Sequence, residues 1–240
     1  LFESEGFEIL AVVAHARISV LRFRYNRNGV DYKCDLSFEN ELSVWNTRLL
    51  RAYASYDERA RDVGLAVKHW AKQRSVSDTA SGFLSSYSYV LMSIYYLQVV
   101  DILPNLQDPE LEHIAEIPTL EHDFESIAFC EDRDTAKIYH GKSIHADELV
   151  DKSVITTGGF EYYTTQFDCI KHVVAVSVVQ KTELWGTQAK TWRLSIQDPI
   201  QTSRDLGGVL HFDAQQKLTE ELHRAYEFLF SGESFLDVVV

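Results

Sequence analysis

A chain of 240 residues, 45% hydrophobic and 25% charged, is long enough to bury a substantial core as one large domain or two small ones. Its formal net charge of −13 excludes a surface that grips nucleic acid all over, because phosphate binding is driven by counterion release to Lys and Arg. No apolar run is long enough for a membrane-spanning helix, Glu3 and Glu5 stand where a secretory signal carries bases, and Cys34, Cys130 and Cys169 have neither disulfide-framework nor zinc spacing, so a soluble protein of a reducing compartment is expected.

Leu1 to Glu5 reads as a helix end stopped by Gly6, which predicts residues ahead of Leu1. Three strands follow, Phe7 to Val13, Arg17 to Tyr25 and Val30 to Phe38, the last two joined by a hairpin turn at Asn26-Arg27-Asn28-Gly29. In the third strand, alternation puts the apolar Val30, Tyr32, Cys34 and Leu36 on one face and Asp31, Lys33, Asp35 and Ser37 on the other, so Asp35 looks outward. From Glu41 the period turns helical, with a stripe of Leu42, Trp45, Leu49, Leu50 and Tyr53, and with Asn46 and Thr47 near its start. Ser55-Tyr56-Asp57-Glu58 predicts a capping box for a second helix reaching Gln73, on which Lys68 and Lys72 lie one turn apart. After a polar connector, Ser75 to Gly82, a third helix is predicted over Phe83 to Gln98, opened by Ser85-Ser86-Tyr87 and apolar at Phe83, Tyr87, Val90, Leu91, Ile94 and Leu97.

Charge is unevenly spread. Residues 101–134 hold eleven Asp or Glu and a single Arg, whereas residues 17–27 hold four Arg and no acid. The acidic segment predicts a face for solvent or for a basic protein partner, with a short helix near His122 to Phe129 and a solvated Asp132-Arg133-Asp134. Beyond it, Lys142 to Val150 and Phe160 to Tyr163 read as helical and Val173 to Val179 as β-rich. Trp192 to Ile196 reads as a short strand ending at Gln197-Asp198-Pro199, and Ala214 to Phe230 as a last helix.

Neither a P-loop, a GxGxxG turn, an HExxH helix nor a GxSxG elbow is present. What remains is a carboxylate (Asp35), two polar side chains (Asn46, Thr47), two ammonium groups (Lys68, Lys72), a hydroxyl (Ser86) and an aromatic plane (Tyr87). A nucleoside triphosphate with Mg²⁺ needs these parts. Singly, each has a plainer reading: a solvated carboxylate, lysines wetting a helix face, a tyrosine within an apolar stripe.

In this order they resemble a family. Cys34-Asp35-Leu36-Ser37-Phe38 with Asn46-Thr47-Arg48-Leu49-Leu50-Arg51-Ala52-Tyr53, then Gly82 to Met92, then Gly158-Gly159-Phe160-Glu161-Tyr162-Tyr163 with Phe167-Asp168, and Ile196-Gln197-Asp198-Pro199-Ile200-Gln201, resemble the terminal uridylyltransferases and template-independent poly(A) polymerases of the DNA polymerase β-like nucleotidyltransferase superfamily. The resemblance implies an α+β fold: residues 1–40 as the C-terminal part of a catalytic palm, residues 41–240 as a helical nucleotide-binding and poly(A)-polymerase-associated domain. It implies Asp35 as a ligand of Mg²⁺ (or Mn²⁺) that helps deprotonate the 3′-hydroxyl of an RNA end. Asn46 and Thr47 would then meet the ribose, and Lys68, Lys72 and Ser86 the β- and γ-phosphates. Tyr87 would stack on the base.

Asp198 matches the acid that reads the uracil edge in uridylyl-adding members. Gln201 stands where those members often carry Glu, and its amide serves uracil or adenine. Arg204 stands where some carry a His that excludes ATP. UTP is the expected substrate, with ATP, and hence poly(A) polymerase activity, as the alternative. The family's first two aspartates, a Gly-Ser followed by Asp-x-Asp, are absent from the chain, so the 240 residues alone are expected to be inactive. They are either part of a longer enzyme or a non-catalytic binding module of an RNA-processing assembly. The divergent nucleotide motif is similar to that of mitochondrial RNA-editing uridylyltransferases, which implies a mitochondrial location.

Overall fold

The computed structural model describes residues 6–14, 18–38, 40–111, 128–141, 152–177 and 192–239. The chain is α+β and divides into two compact units, Leu1–Trp45 and Asn46–Val240, the division falling inside the first helix. The expected helix end at Leu1 to Glu5, the helix at Lys142 to Val150, and all but the last residues of that at His122 to Phe129 lie outside the described residues.

The first unit holds an antiparallel sheet, β1 (Phe7–Val13), β2 (Val20–Arg27) and β3 (Val30–Ser37), in that order. β2 and β3 are joined at Asn28-Gly29, with φ of 54° and 79°, the pair of positive values that a two-residue hairpin with the right strand twist requires. Arg27, expected in the turn, is instead the last ladder residue, opposite Val30. A register shift between Ile9 and Ala11 bends β1. The pleat separates the chemistry. Phe7 stacks on Tyr25 with ring centroids 4.6 Å apart and meets Phe23 edge-on at 5.4 Å, while Glu8 pairs with Arg24 and Arg22 with Asp35.

The second unit is built around α3 (Ser86–Val99), which carries no charged residue and buries Ser88, Tyr89, Leu91, Met92, Ser93, Ile94, Tyr96 and Leu97. A helix covered nearly all round belongs at a centre; the single apolar stripe read from the sequence was too narrow. Its first residue is Ser86, not Phe83, because Ser85 takes the cap position and accepts from the Ser88 N–H at 3.2 Å. α1 (Glu41–Tyr56) contributes Leu49, Ala52, Tyr53 and Tyr56 to this core. The Tyr53 hydroxyl, buried and so with its pKa pushed up, accepts from the Leu106 N–H at 3.3 Å and Gln98 Nε2 at 3.1 Å.

α2 (Glu58–Gln73) is capped by Asp57, whose carboxylate accepts from the Arg59 N–H at 2.9 Å. The expected Ser55 capping box does not form, since Ser55 and Tyr56 still belong to α1. α2 lays Trp70 edge-on to Tyr89 at 6.1 Å and to Phe160 of α5 (Lys152–Glu161) at 4.9 Å. At Gly158 of α5 an added Cβ would come within 2.2 Å of the Tyr96 hydroxyl, so glycine is what lets α5 approach α3. α5 runs into a π-helical turn, Tyr162–Gln166. α4 (Arg133–His140) was not expected: Asp132, read as solvated, caps it by accepting from the Thr135 N–H at 2.7 Å.

Two-residue parallel strands, β4 (Val173–Val174) and β5 (Ser195–Ile196), precede α6 (Phe212–Phe230) and α7 (Phe235–Val239). Arg74 at the end of α2 grips Glu221 of α6 through two nitrogens, at 2.9 and 3.1 Å. No helix among the described residues is long and apolar enough to cross a membrane.

Candidate functional site

Asp35 stands on the charged face of the sheet, as alternation predicted. Its side chain is 57% exposed and one oxygen lies 3.3 Å from Arg22 Nε. Mg²⁺ demands a near-octahedral shell of oxygens. One carboxylate already facing a guanidinium does not supply that, and among the described residues no group of three or more His, Cys, Asp or Glu could hold a metal. Asp35 is therefore at most one ligand of a divalent site.

In the second unit, Asn46 and Thr47 lie in the second turn of α1 rather than at its start. Asn46 is half-buried, and its Oδ1 has no hydrogen-bond partner among the described residues. Lys68 and Lys72 project from α2 into solvent. Ser86 begins α3, with its hydroxyl 3.3 Å from that of Ser77 in the connector, so a hydroxyl pair sits at the positive end of the central helix. The Lys217 ammonium of α6 lies 5.6 Å from the Phe83 ring centre, a cation that no sequence motif announced.

Tyr87 is the junction. Its hydroxyl is buried without a hydrogen-bond partner among the described residues. Burial pushes its pKa well up, the Asp198 carboxylate adds to that and the Arg204 guanidinium opposes it. Asp198 is fully buried. One of its oxygens accepts from the Ile200 and Gln201 N–H groups at 3.0 and 3.1 Å, and the other is 3.4 Å from Arg204 Nη1. The loop closes on itself, the Asp198 N–H donating to the Arg204 carbonyl at 3.0 Å and the Arg204 N–H to that of Gln201 at 2.8 Å. The structure thus gathers Asp198, Gln201 and Arg204 in one loop, with the Tyr87 hydroxyl within electrostatic reach of the Asp198–Arg204 pair.

A second aspartate, missed in the sequence, holds this loop in place. Asp205 accepts from the Ile196 and Gly207 N–H groups at 3.0 and 2.8 Å and from Arg193 Nη2 at 2.8 Å. Gly207 must be glycine, since a Cβ there would lie 2.1 Å from the Leu194 carbonyl oxygen. The signal was the Asp205-Leu206-Gly207 run, an Asp that bonds the backbone two residues on.

A family model described as poly(A) RNA polymerase, mitochondrial-like, central palm domain matches residues 1–55. Human terminal uridylyltransferase 7 is 28% identical over 94% of the chain, which spans 15% of that protein. Zebrafish (Danio rerio) poly(A) RNA polymerase GLD2 is 30% identical over 87% of the chain, which spans 41% of it. Among solved structures, the Cid1 poly(U) polymerase, in a form bound to MgATP from work on its UTP selectivity, superposes with a TM-score of 0.77 at 27% identity, covering 96% of this chain and 69% of that one.

Proposed function

The chain belongs to the terminal uridylyltransferase and poly(A) polymerase family of nucleotidyltransferases, and from that premise we propose that it is the nucleotide-binding part of an enzyme adding UMP from UTP to RNA 3′ ends. The observation that carries this reading is the Asp198–Arg204 pair, whose charges bear on the buried hydroxyl of Tyr87 in the first turn of α3. A base stacked on Tyr87 gains about 1–3 kcal/mol if values for other base–aromatic pairs transfer. Asn46 and Thr47 meet the ribose in this proposal, and Lys68, Lys72 and Ser86 face the phosphates, where helix dipole and cations favour negative charge.

The choice of uracil rests on donor chemistry. A guanidinium offers only donors, and uracil presents a carbonyl where adenine presents an amino group. Arg204, steadied by a carboxylate that the loop has otherwise consumed, favours the carbonyl, and Gln201 is neutral between them. Bound Mg²⁺ or Mn²⁺ would stabilise charge at the α-phosphate. Asp35 offers one ligand, and the reading requires further carboxylates from outside the 240 residues. A mitochondrial location belongs to the same proposal.

The test is primer extension. A protein comprising this chain and the palm residues supplying those carboxylates is incubated with Mg²⁺, an RNA primer and one nucleotide at a time. U addition in excess of A is expected. Predominant A addition replaces the reading with poly(A) polymerase activity. No addition, together with no UTP binding to the chain, leaves the binding-module reading.

A further inference from the structure

Away from these residues a cavity of about 470 Å³ opens between α6 and the π-helical turn, within the size range of ligand pockets. Phe167, Leu194, Leu218 and Leu222 make its lining largely apolar. The Thr164 hydroxyl in its wall is buried and has no hydrogen-bond partner among the described residues. A buried hydroxyl left without a hydrogen bond keeps its desolvation cost, which a donor or acceptor brought from outside recovers.

Other polar groups around the cavity are already engaged. The Gln215 side-chain oxygen accepts from the Leu194 N–H at 2.9 Å, and its amide nitrogen donates to Thr219 Oγ1 at 3.2 Å. The Tyr163 hydroxyl donates to the Met92 carbonyl at 2.8 Å. Arg224 is divided between Glu221, which Arg74 also grips, and the Val238 carbonyl. Two exposed carboxylates remain at the mouth: Glu220, and Glu227 with His223 Nε2 at 3.3 Å. An apolar lining with exposed carboxylates at its edge suits a cation on an apolar stem.

We propose that this cavity is a docking site for a basic peptide segment of a protein partner, anchored by an arginine whose apolar neighbour fills the lining while the guanidinium meets Glu220 and Glu227. The net charge of −13 points the same way, toward basic partners. This inference is independent of base choice and of catalysis.

The probe is acetyl-leucyl-arginyl-leucine amide, titrated into the ¹⁵N-labelled chain by NMR. Expected are shifts confined to the amides of residues 163–169 and 215–227. The citrulline analogue, equal in shape but uncharged, should bind at least about tenfold more weakly, as for loss of a charge-assisted contact. A Glu220→Gln/Glu227→Gln double variant should weaken the arginine peptide alike with an unchanged thermal melt, and Thr164→Val should weaken both peptides. Equal binding of the two peptides, no shifts at millimolar peptide, or the same shifts with spermidine or an oligouridylate in place of the peptide would each overturn the proposal.

Discussion

At the scale of single residues, Tyr87 separates two roles usually tangled in a tyrosine. Its hydroxyl is buried and has no hydrogen-bond partner among the described residues, and in the proposed reading it is the ring that meets the base. Tyr87→Phe should leave the urea midpoint unchanged or raised, because it removes a desolvated group that earned no bond, and should keep nucleotide affinity. Tyr87→Ala should lower UTP affinity about 5- to 150-fold, the equivalent of losing 1–3 kcal/mol of stacking, measured by calorimetric titration. Asp35 gives the opposite profile. Its partner Arg22 is 58% exposed, so Asp35→Ala should cost little stability while abolishing nucleotide addition by the whole protein. Retained addition would remove its metal role.

At the scale of elements, what could be read in advance depended on whether neighbouring residues alone decide the outcome. β1 falls at Phe7–Val13 as predicted, and α2 ends at Gln73, because alternation, turn chemistry and helix period are local. Contacts from afar decided the rest. Asp132 looked like one acid among many until Thr135 is seen folded back onto it, and the burial of α3 depends on α2 and α5 packing against it. Sequence order offered candidate members of a site, but that Asp198 would spend an oxygen on two backbone N–H groups is visible only in three dimensions. Leu91, fully buried in α3, should cost about 2–5 kcal/mol when cut to Ala, read as a lower urea midpoint at unchanged slope.

At the scale of the whole molecule, paired carboxylates, two of which tie distant segments together, set an acid limit. The hydrogen bond from Arg48 holds Glu131 below its ordinary pKa, despite some burial. Burial raises Glu221 and Asp57, but hydrogen bonds from Arg74 and Arg224 to the first, and from Arg59 to the second, outweigh it and leave both lowered. A depressed folded pKa gives stability that is complete above the unfolded values, about 3.9 for Asp and 4.3 for Glu, and is lost as pH falls through the folded ones. The urea midpoint should therefore stay level from pH 7 to about 5 and drop below about pH 4. Glu221→Gln should lower it at neutral pH and make the acid drop shallower.

The contrast between a central helix covered on nearly every side and a three-stranded sheet with no fully buried residue among its described strand positions also sets a clock. Local opening is easiest where little apolar surface must be wetted, so amide protons of β1 to β3 should be replaced by deuterium within the earliest time points, and those of Leu91 to Leu97 only at the rate of global unfolding. Nucleotide on Tyr87 should then slow exchange at the start of α3 and leave its already protected centre unchanged.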